Sequence, residues 1–266
     1  MAGPYWTLYD FVNANGDNEI ALWLRRQPTV KKVPLWAKLD AALLRLMGQE
    51  IHTERQLIAK LDAKRDSACA ELYEIRIKFK GVEYRILSYR GPSPKGQYTL
   101  LLGAKEKGDK FEPLNACQQA RAKIVDIENK KGRTVEHQST ERYQQIVQAM
   151  EDKEYRDAFV EASIDNDIAF QIRANRDSRG WTQTELGSRA GIKQAVISEW
   201  EDPNYGRYTL RTLKRLASAF DIAVIVRFVP FSELADWNSR VPETDMSSPG
   251  FDNDAGLSNS VRLHNG

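Results

Sequence analysis

The sequence predicts an α+β domain, helices with an antiparallel sheet, followed by an all-α domain that ends in a single strand. Three observations carry this. Runs with the alternation and β-rich composition of strands cluster between residues 71 and 105. Beyond about residue 140 the apolar pattern turns helical. The charge also changes sign: residues 1–133 hold 24 Lys+Arg against 16 Asp+Glu, whereas residues 134–266 hold 15 against 21. Such a split suits a basic module for a polyanion beside an acidic module able to screen it.

Residues 6–11 read as a first strand. Ile20, Leu22, Trp23 and Leu24 then recur at helical spacing until Pro28 interrupts them. A longer helix is expected over residues 33–47, with Leu35, Leu39, Leu43, Leu44 and Met47 on one face and Gly48 at its end. Residues 50–68 are polar and ambiguous. Strands follow over 71–79, 82–89 and 98–105, the first two joined tightly at Lys80-Gly81 and the last two more loosely through Gly91-Pro92-Ser93-Pro94. A helix over 113–127 closes a domain set at residues 1–130. Residues 131–140 read as a polar linker, 141–167 as an acidic helical segment, and 168–240 as the second domain. The run DIAVIVRFV supplies a strand at 222–229, either a dimer contact or a piece packed on the helices, and 241–266 reads as a disordered tail.

No apolar run approaches the ~18 residues of a membrane span, and the start carries no basic stretch followed by an apolar one, so a cytoplasmic protein is expected. Cys69 and Cys117 read as two reduced thiols, and no metal or cofactor is expected. His52 reads as a surface residue.

The most specific signal is the stretch from Gly180 to Ile192 (GWTQTELGSRAGI). Thr182 and Glu185 have capping-box spacing, which starts a short helix before Leu186. Gly191 permits a sharp turn into a second helix, on which Ile197 and Trp200 face inward while Lys193, Gln194, Ala195, Ser198 and Glu199 point outward. Two short helices joined by a glycine turn suit insertion of the second into a DNA major groove. Gln194 can pair with adenine, Lys193 can reach guanine or phosphate, and Ala195 can touch a thymine methyl. Gln183 is placed for a phosphate, with Arg189 and Arg207 as further local cations. Leu210, Leu213, Leu216, Ala217 and Phe220 form a supporting amphipathic helix. The matches at Gln183, Glu185, Leu186, Gly191, Ile192, Ile197, Ser198 and Glu201 resemble the XRE, or lambda-repressor-like, family. One such module buries little surface on DNA, so a homodimer is expected, and two recognition helices about one DNA turn apart would read a palindromic operator.

In the basic half, Arg76, Lys78 and Lys80 alternate with Ile75, Ile77 and Phe79, and Tyr73, Tyr84 and Tyr89 are interleaved. Cations for phosphates beside rings for unstacked bases are what an RNA-binding face requires, although a solvated polar face gives the same pattern. The order ELYEIRI, YRIL, LLLG and trailing lysines resembles the RelE/HigB-type toxins, in their phage-derived branch. That resemblance implies a ribosome-dependent mRNA interferase. It would make Arg76 and Arg85 the phosphate clamps, Lys107 and Lys110 agents of charge stabilisation or proton transfer, and Tyr84 or Tyr89 a stacking platform. Ala104, Glu106 and Lys107 depart from the pattern, and no histidine lies on these strands. The order of the two parts resembles HigB–HigA toxin–antitoxin pairs. Two readings follow: a toxin fused to its antitoxin, silenced by the acidic segment 141–167 lying on the basic sheet face, or a regulator whose first domain binds a partner without cutting RNA.

Overall fold

The structure, a computed structural model, describes residues 7–27, 29–47, 57–63, 66–93, 96–108, 110–137, 140–234 and 246–255. Its first part holds β1 (Thr7–Val12), α1 (Glu19–Arg25), α2 (Thr29–Met47), β2 (Ile58–Lys60), β3 (Leu72–Phe79), β4 (Val82–Arg90), β5 (Gln97–Lys107), β6 (Lys110–Glu112), α3 (Ala116–Glu128) and β7 (Arg133–Glu136). The helices α4 (Thr140–Ala149), α5 (Lys153–Ser178), α6 (Gln183–Ala190), α7 (Gln194–Trp200) and α8 (Leu210–Phe220) follow. Among the described residues no helix is long and apolar enough to cross a membrane. His52 lies outside the described residues.

The sheet runs β2-β3-β4-β5-β1-β7, with β6 added to β5. It is mixed rather than antiparallel throughout, because β1 lies parallel to β5 with Thr7 opposite Gln97. Among the described residues α1, α2, β2, β3 and β4 all lie between that pair in sequence, so local alternation carries no trace of it. Lys80 and Gly81 both take positive φ, 48° and 75°. That is the backbone of a tight hairpin whose twist matches its strands. On one face, α1 and α2 bury Leu24, Leu35, Leu39 and Leu43 against Ile75, Ile77, Tyr84 and Ile86. Trp23 lies so close to β5 that a Cβ on Gly103 would stand 2.0 Å from its ring. On the other face, α3 closes over Leu72, Leu87 and Leu101.

Several expectations change. Cys69 and Cys117 are not free thiols but a disulfide that ties the short helical turn at 67–69 to the start of α3. Their 48-residue separation hides the proximity that the sheet creates. Of the ambiguous residues 50–68, those described give a helical Leu57, β2 and the start of that turn, and 50–56 lie outside the described residues. The expected linker 131–140 contains β7, which pairs antiparallel with β1. An edge strand needs backbone partners more than apolar side chains, which is why its polar sequence read as a connection.

The helix α5 runs through residue 167 without a break, so the acidic segment and the following domain share one helix. It packs along α2 and against the apolar side of β3, the side that carries Ile75 and Ile77, not on the side that carries Arg76 and Glu74. Ala158, Phe159 and Ala162 meet Ala37 and Ala41, small residues that let the two backbones approach. Tyr155 donates to Asp40 at 2.6 Å, and Arg45 is ion-paired with Asp167. Phe170, fully buried, belongs to the same core as Leu35 and Ile75.

Residues 222–229 form no strand. Nothing among the described residues offers them a ladder, and Ile225, Val226 and Phe228 stand exposed. In the expected tail, Met246 packs on the first core, and the Ser248 amide donates to Asn175 at 2.9 Å. The Phe251 amide donates to the Asp221 carbonyl at 3.1 Å. Residues 241–245 and 256–266 lie outside the described residues.

Candidate nucleic-acid interface

Thr182 caps α6 in both directions: its hydroxyl accepts from the Glu185 amide at 3.2 Å, and Glu185 accepts from the Thr182 amide at 2.6 Å. Hydrogen bonding to the carboxylate from the Thr182 amide, and next from the Thr182 side chain, holds the Glu185 carboxyl below its usual range. Gly191 ends the helix at φ 63°, a left-handed turn that glycine adopts without strain. Just before it, a Cβ on Gly187 would stand 2.6 Å from the Ile192 carbonyl, so the α6–α7 corner closes only over glycine. Leu186, Ile197, Trp200, Leu216 and Phe220 then lock α6, α7 and α8 together with Ile172 of α5.

On α7 the side chains of Lys193, Gln194, Ala195, Ser198 and Glu199 are exposed, and Arg207 is exposed on the loop that follows, over the Tyr205 ring. Arg189 stacks on Trp181, 4.2 Å from its centroid. Gln183 is not simply a free phosphate contact. Its amide nitrogen donates to Glu201 at 3.0 Å while its oxygen accepts from Gln194 at 2.7 Å. Glu201 is 1% exposed and takes Arg176 at 2.5 and 2.9 Å. Burial alone would lower the Arg176 pKa, but the hydrogen bonds and charges of Glu201 and then Asp177 together outweigh it and raise it. A relay from Arg176 through Glu201 and Gln183 therefore orients the amide of Gln194 before any ligand arrives. Sequence reasoning placed Gln183 and Glu201 in the motif but missed Arg176, which lies 25 residues from its partner. Leu210, assigned to the inward face of α8, is half exposed because it sits in the first turn of that helix.

The residues proposed for RNA chemistry do not converge. Tyr84 is buried under Trp23 in an edge contact of 6.0 Å, and burial raises its pKa. It is therefore a core residue, not a platform for a base. Arg85 points to the opposite face and is itself buried. Glu74, Glu83 and Glu106 surround it at 3.3, 3.1 and 2.5 Å, so its charge is already matched and no phosphate clamp remains. Lys107 and Lys110 are exposed and opposite each other across the β5–β6 hairpin. Strand alternation sends Lys107 to the face away from Glu106 and Arg85. Tyr89 is half-buried and packed against the α3 core. The acids were visible in the sequence: Glu74, Arg76 and Lys78 share a face by alternation, and the hairpin register sets Glu83 opposite Lys78.

Arg76 keeps 40% and Lys78 52% of its side chain exposed, each with a single carboxylate, Glu74 at 2.7 Å and Glu83 at 3.2 Å. Among the described residues β2 pairs with residues 73–75, and none of them forms a strand beside the far half of β3 on the side away from β4. The loop after α7 reaches that side: Asn204 accepts from the Lys78 amide at 2.7 Å. One cleft is consequently lined by Arg76, Lys78, Glu83 and Arg85 from the sheet and by Ser198, Asp202 and Asn204 from the helical part.

The same loop approaches α5 where a Cβ on Gly206 would stand 2.5 Å from Asp165. Burial lifts the Asp165 pKa to about 6 from 3.8, with Lys38 opposing and Glu161 adding to the rise. A carboxyl held above its unfolded value favours the protonated folded state, so stability falls as pH rises from about 4 to about 6 and is level above. Asp165→Asn should raise stability by about 1 kcal/mol at pH 7.5, a value reduced for the screening of a half-exposed group. The gain should shrink towards pH 4, as urea melts at the two pH values will report. A variant less stable than the parent at pH 7.5 would mean that the Lys38 attraction dominates.

Residues 172–224 match the family described as Helix-turn-helix, so this part of the chain is a helix-turn-helix domain. Antitoxin HipB of Escherichia coli (strain K12) is 35% identical over 57 residues, which make up 21% of this chain. The matched stretch spans 64% of the length of HipB. No solved structure matches the chain.

Proposed function

We propose that the chain is a cytoplasmic, antitoxin-like transcription regulator that binds operator DNA through α7, with the sheet domain acting as a partner-binding module without nuclease activity. The observation that carries this reading is the exposed, pre-oriented Gln194 at the start of α7, flanked by Lys193 and Ala195 and held by Gln183. A preset amide loses little freedom on meeting adenine, which favours specificity. The domain is small, so a homodimer on a palindromic site is the economical arrangement, with recognition helices one DNA turn apart. The exposed run Ile225, Val226 and Phe228 is the surface we assign to the second copy.

Selection from a randomised duplex pool should enrich a palindrome. Gln194→Ala should weaken binding to the enriched duplex about 10- to 100-fold and relax the preference at one position of each half-site. Failure of the wild-type chain to enrich any sequence would overturn the reading.

A fused toxin and antitoxin, with ribosome-bound mRNA as the substrate of the sheet domain, is the more specific alternative. The α+β layering and the half-exposed Arg76 favour it. The neutralised Arg85, the buried Tyr84 and the divergence of Lys107 from both weigh against it, and we therefore place the sheet domain with binding rather than cleavage.

A further inference from the structure

We infer that Arg76 and Lys78, on the sheet, are part of the DNA-contacting surface and grip the phosphate backbone beside the recognition helix. The inference rests on the DNA-binding reading above and adds to it a contribution from outside the helix-turn-helix domain.

Ser198, on the exposed face of α7, lines the same cleft as Arg76 and Lys78. A duplex seated on that face therefore brings its backbone past the open end of the cleft. The alignment is held at two points, the Asn204 bond to the Lys78 amide and the close fit of Gly206 against Asp165. The sheet thus meets the DNA as a fixed wall, with no hinge motion needed.

Both cations have donors to spare. Arg76 spends Nε and Nη2 on one oxygen of Glu74, which leaves Nη1 for a phosphate oxygen. The Lys78 ammonium has one carboxylate at 3.2 Å and three protons to give. Glu74 and Glu83 act here as props that keep long side chains extended at the mouth of the cleft. Arg85, surrounded by Glu74, Glu83 and Glu106, stays behind as a structural charge and is excluded from the contact. Asp202, also on the cleft, repels a backbone that sits too deep and confines the phosphates to its rim. Three carboxylates around the buried Arg85 outnumber its single charge, while Arg76 and Lys78 reach solvent, an arrangement that suits a polyanion passing the mouth better than a small anion entering it.

The test uses the full chain and a fluorescent duplex carrying the enriched palindrome, with binding followed from 0.05 to 0.3 M KCl. Each phosphate contact adds about 0.9 to the slope of log K against log salt. Arg76→Gln/Lys78→Gln should lower the slope by about 1.8 and weaken binding about thirtyfold at 0.15 M salt, while the preferred bases stay the same. Lys78→Gln alone, at an exposed position where folding is not at stake, should lower it by about 0.9 and weaken binding about fivefold. An unchanged slope for Lys78→Gln, in a chain whose Gln194→Ala variant still loses affinity, would overturn the sheet contact and leave the helix-turn-helix reading standing. Tighter binding by the double variant would overturn it too, and would show the sheet to be an obstacle to DNA. No binding by the wild-type chain would remove both readings together.

Discussion

Replacing Glu201 by Ala is expected to destabilise the protein by about 3–5 kcal/mol, the usual cost of leaving one member of a buried ion pair behind. Glu201 is 1% exposed and Arg176 is nearly buried with it, so the guanidinium loses the partner that offsets its desolvation. Arg176 would retain Asp177 and the Trp181 carbonyl, neither of which accepts both of its forked donors. The loss should appear as a fall in Tm of about 10 °C for a chain of this size. DNA affinity should fall as well at temperatures where the variant is still folded, because Gln183 loses one anchor and Gln194 with it. Thermal denaturation followed by circular dichroism, beside binding at 15 °C, checks both parts. A change under about 1 kcal/mol would mean that Asp177 takes over the pair.

The second large effect is expected at Phe170. Its ring is fully buried among Leu35, Leu39, Ile75 and Ile77, although its helix continues directly into the helix-turn-helix core at Ile172. Phe170→Ala should cost about 3–5 kcal/mol through lost burial and the cavity left behind. More telling is what unfolds with it. With α5 packed along α2 and Phe170 in the sheet core, both parts should melt in one transition that shifts as a whole. Hydrogen exchange should show protection falling together in β3–β4 and in α6–α8. Two separate transitions, only one displaced by the substitution, would show that the halves fold independently. The same packing bears on dissection: cutting at residue 133 would remove β7 from β1 and strip α5 from Ala37 and Ala41, so such a fragment would expose its own core.

The helix-turn-helix was legible because its determinants are local. A capping box four residues long, a glycine at the corner and apolar residues at helical spacing all act within one or two turns. The β3–β4 hairpin was legible for the same reason, its Lys80-Gly81 turn sitting between alternating runs. The candidate RNA site was misread because counting cations along β3 and β4 ignores what faces them. Glu106 lies 21 residues from Arg85 and reaches it only once β5 is paired to β4. The strand expected at 222–229 shows the reverse error: its side chains have the right pattern, yet a strand exists only where another backbone accepts its hydrogen bonds.

By itself, then, the sequence determined the helices α1 and α2, the strands β3, β4 and β5, the capped helix-turn-helix, the face α7 leaves exposed and the charge contrast between the halves. Those properties come from backbone preferences and side-chain periodicity, which act over a few residues. Tertiary structure alone decided that β1 runs parallel to β5, that Cys69 meets Cys117, that Arg176 orients Gln194 through Glu201, and that the acidic helix lies on α2. It also decided that the basic strand edge stands beside the recognition helix. Each of these joins residues separated by tens of positions, and their meeting is set by how whole layers bury their apolar faces, a global balance that no local window contains.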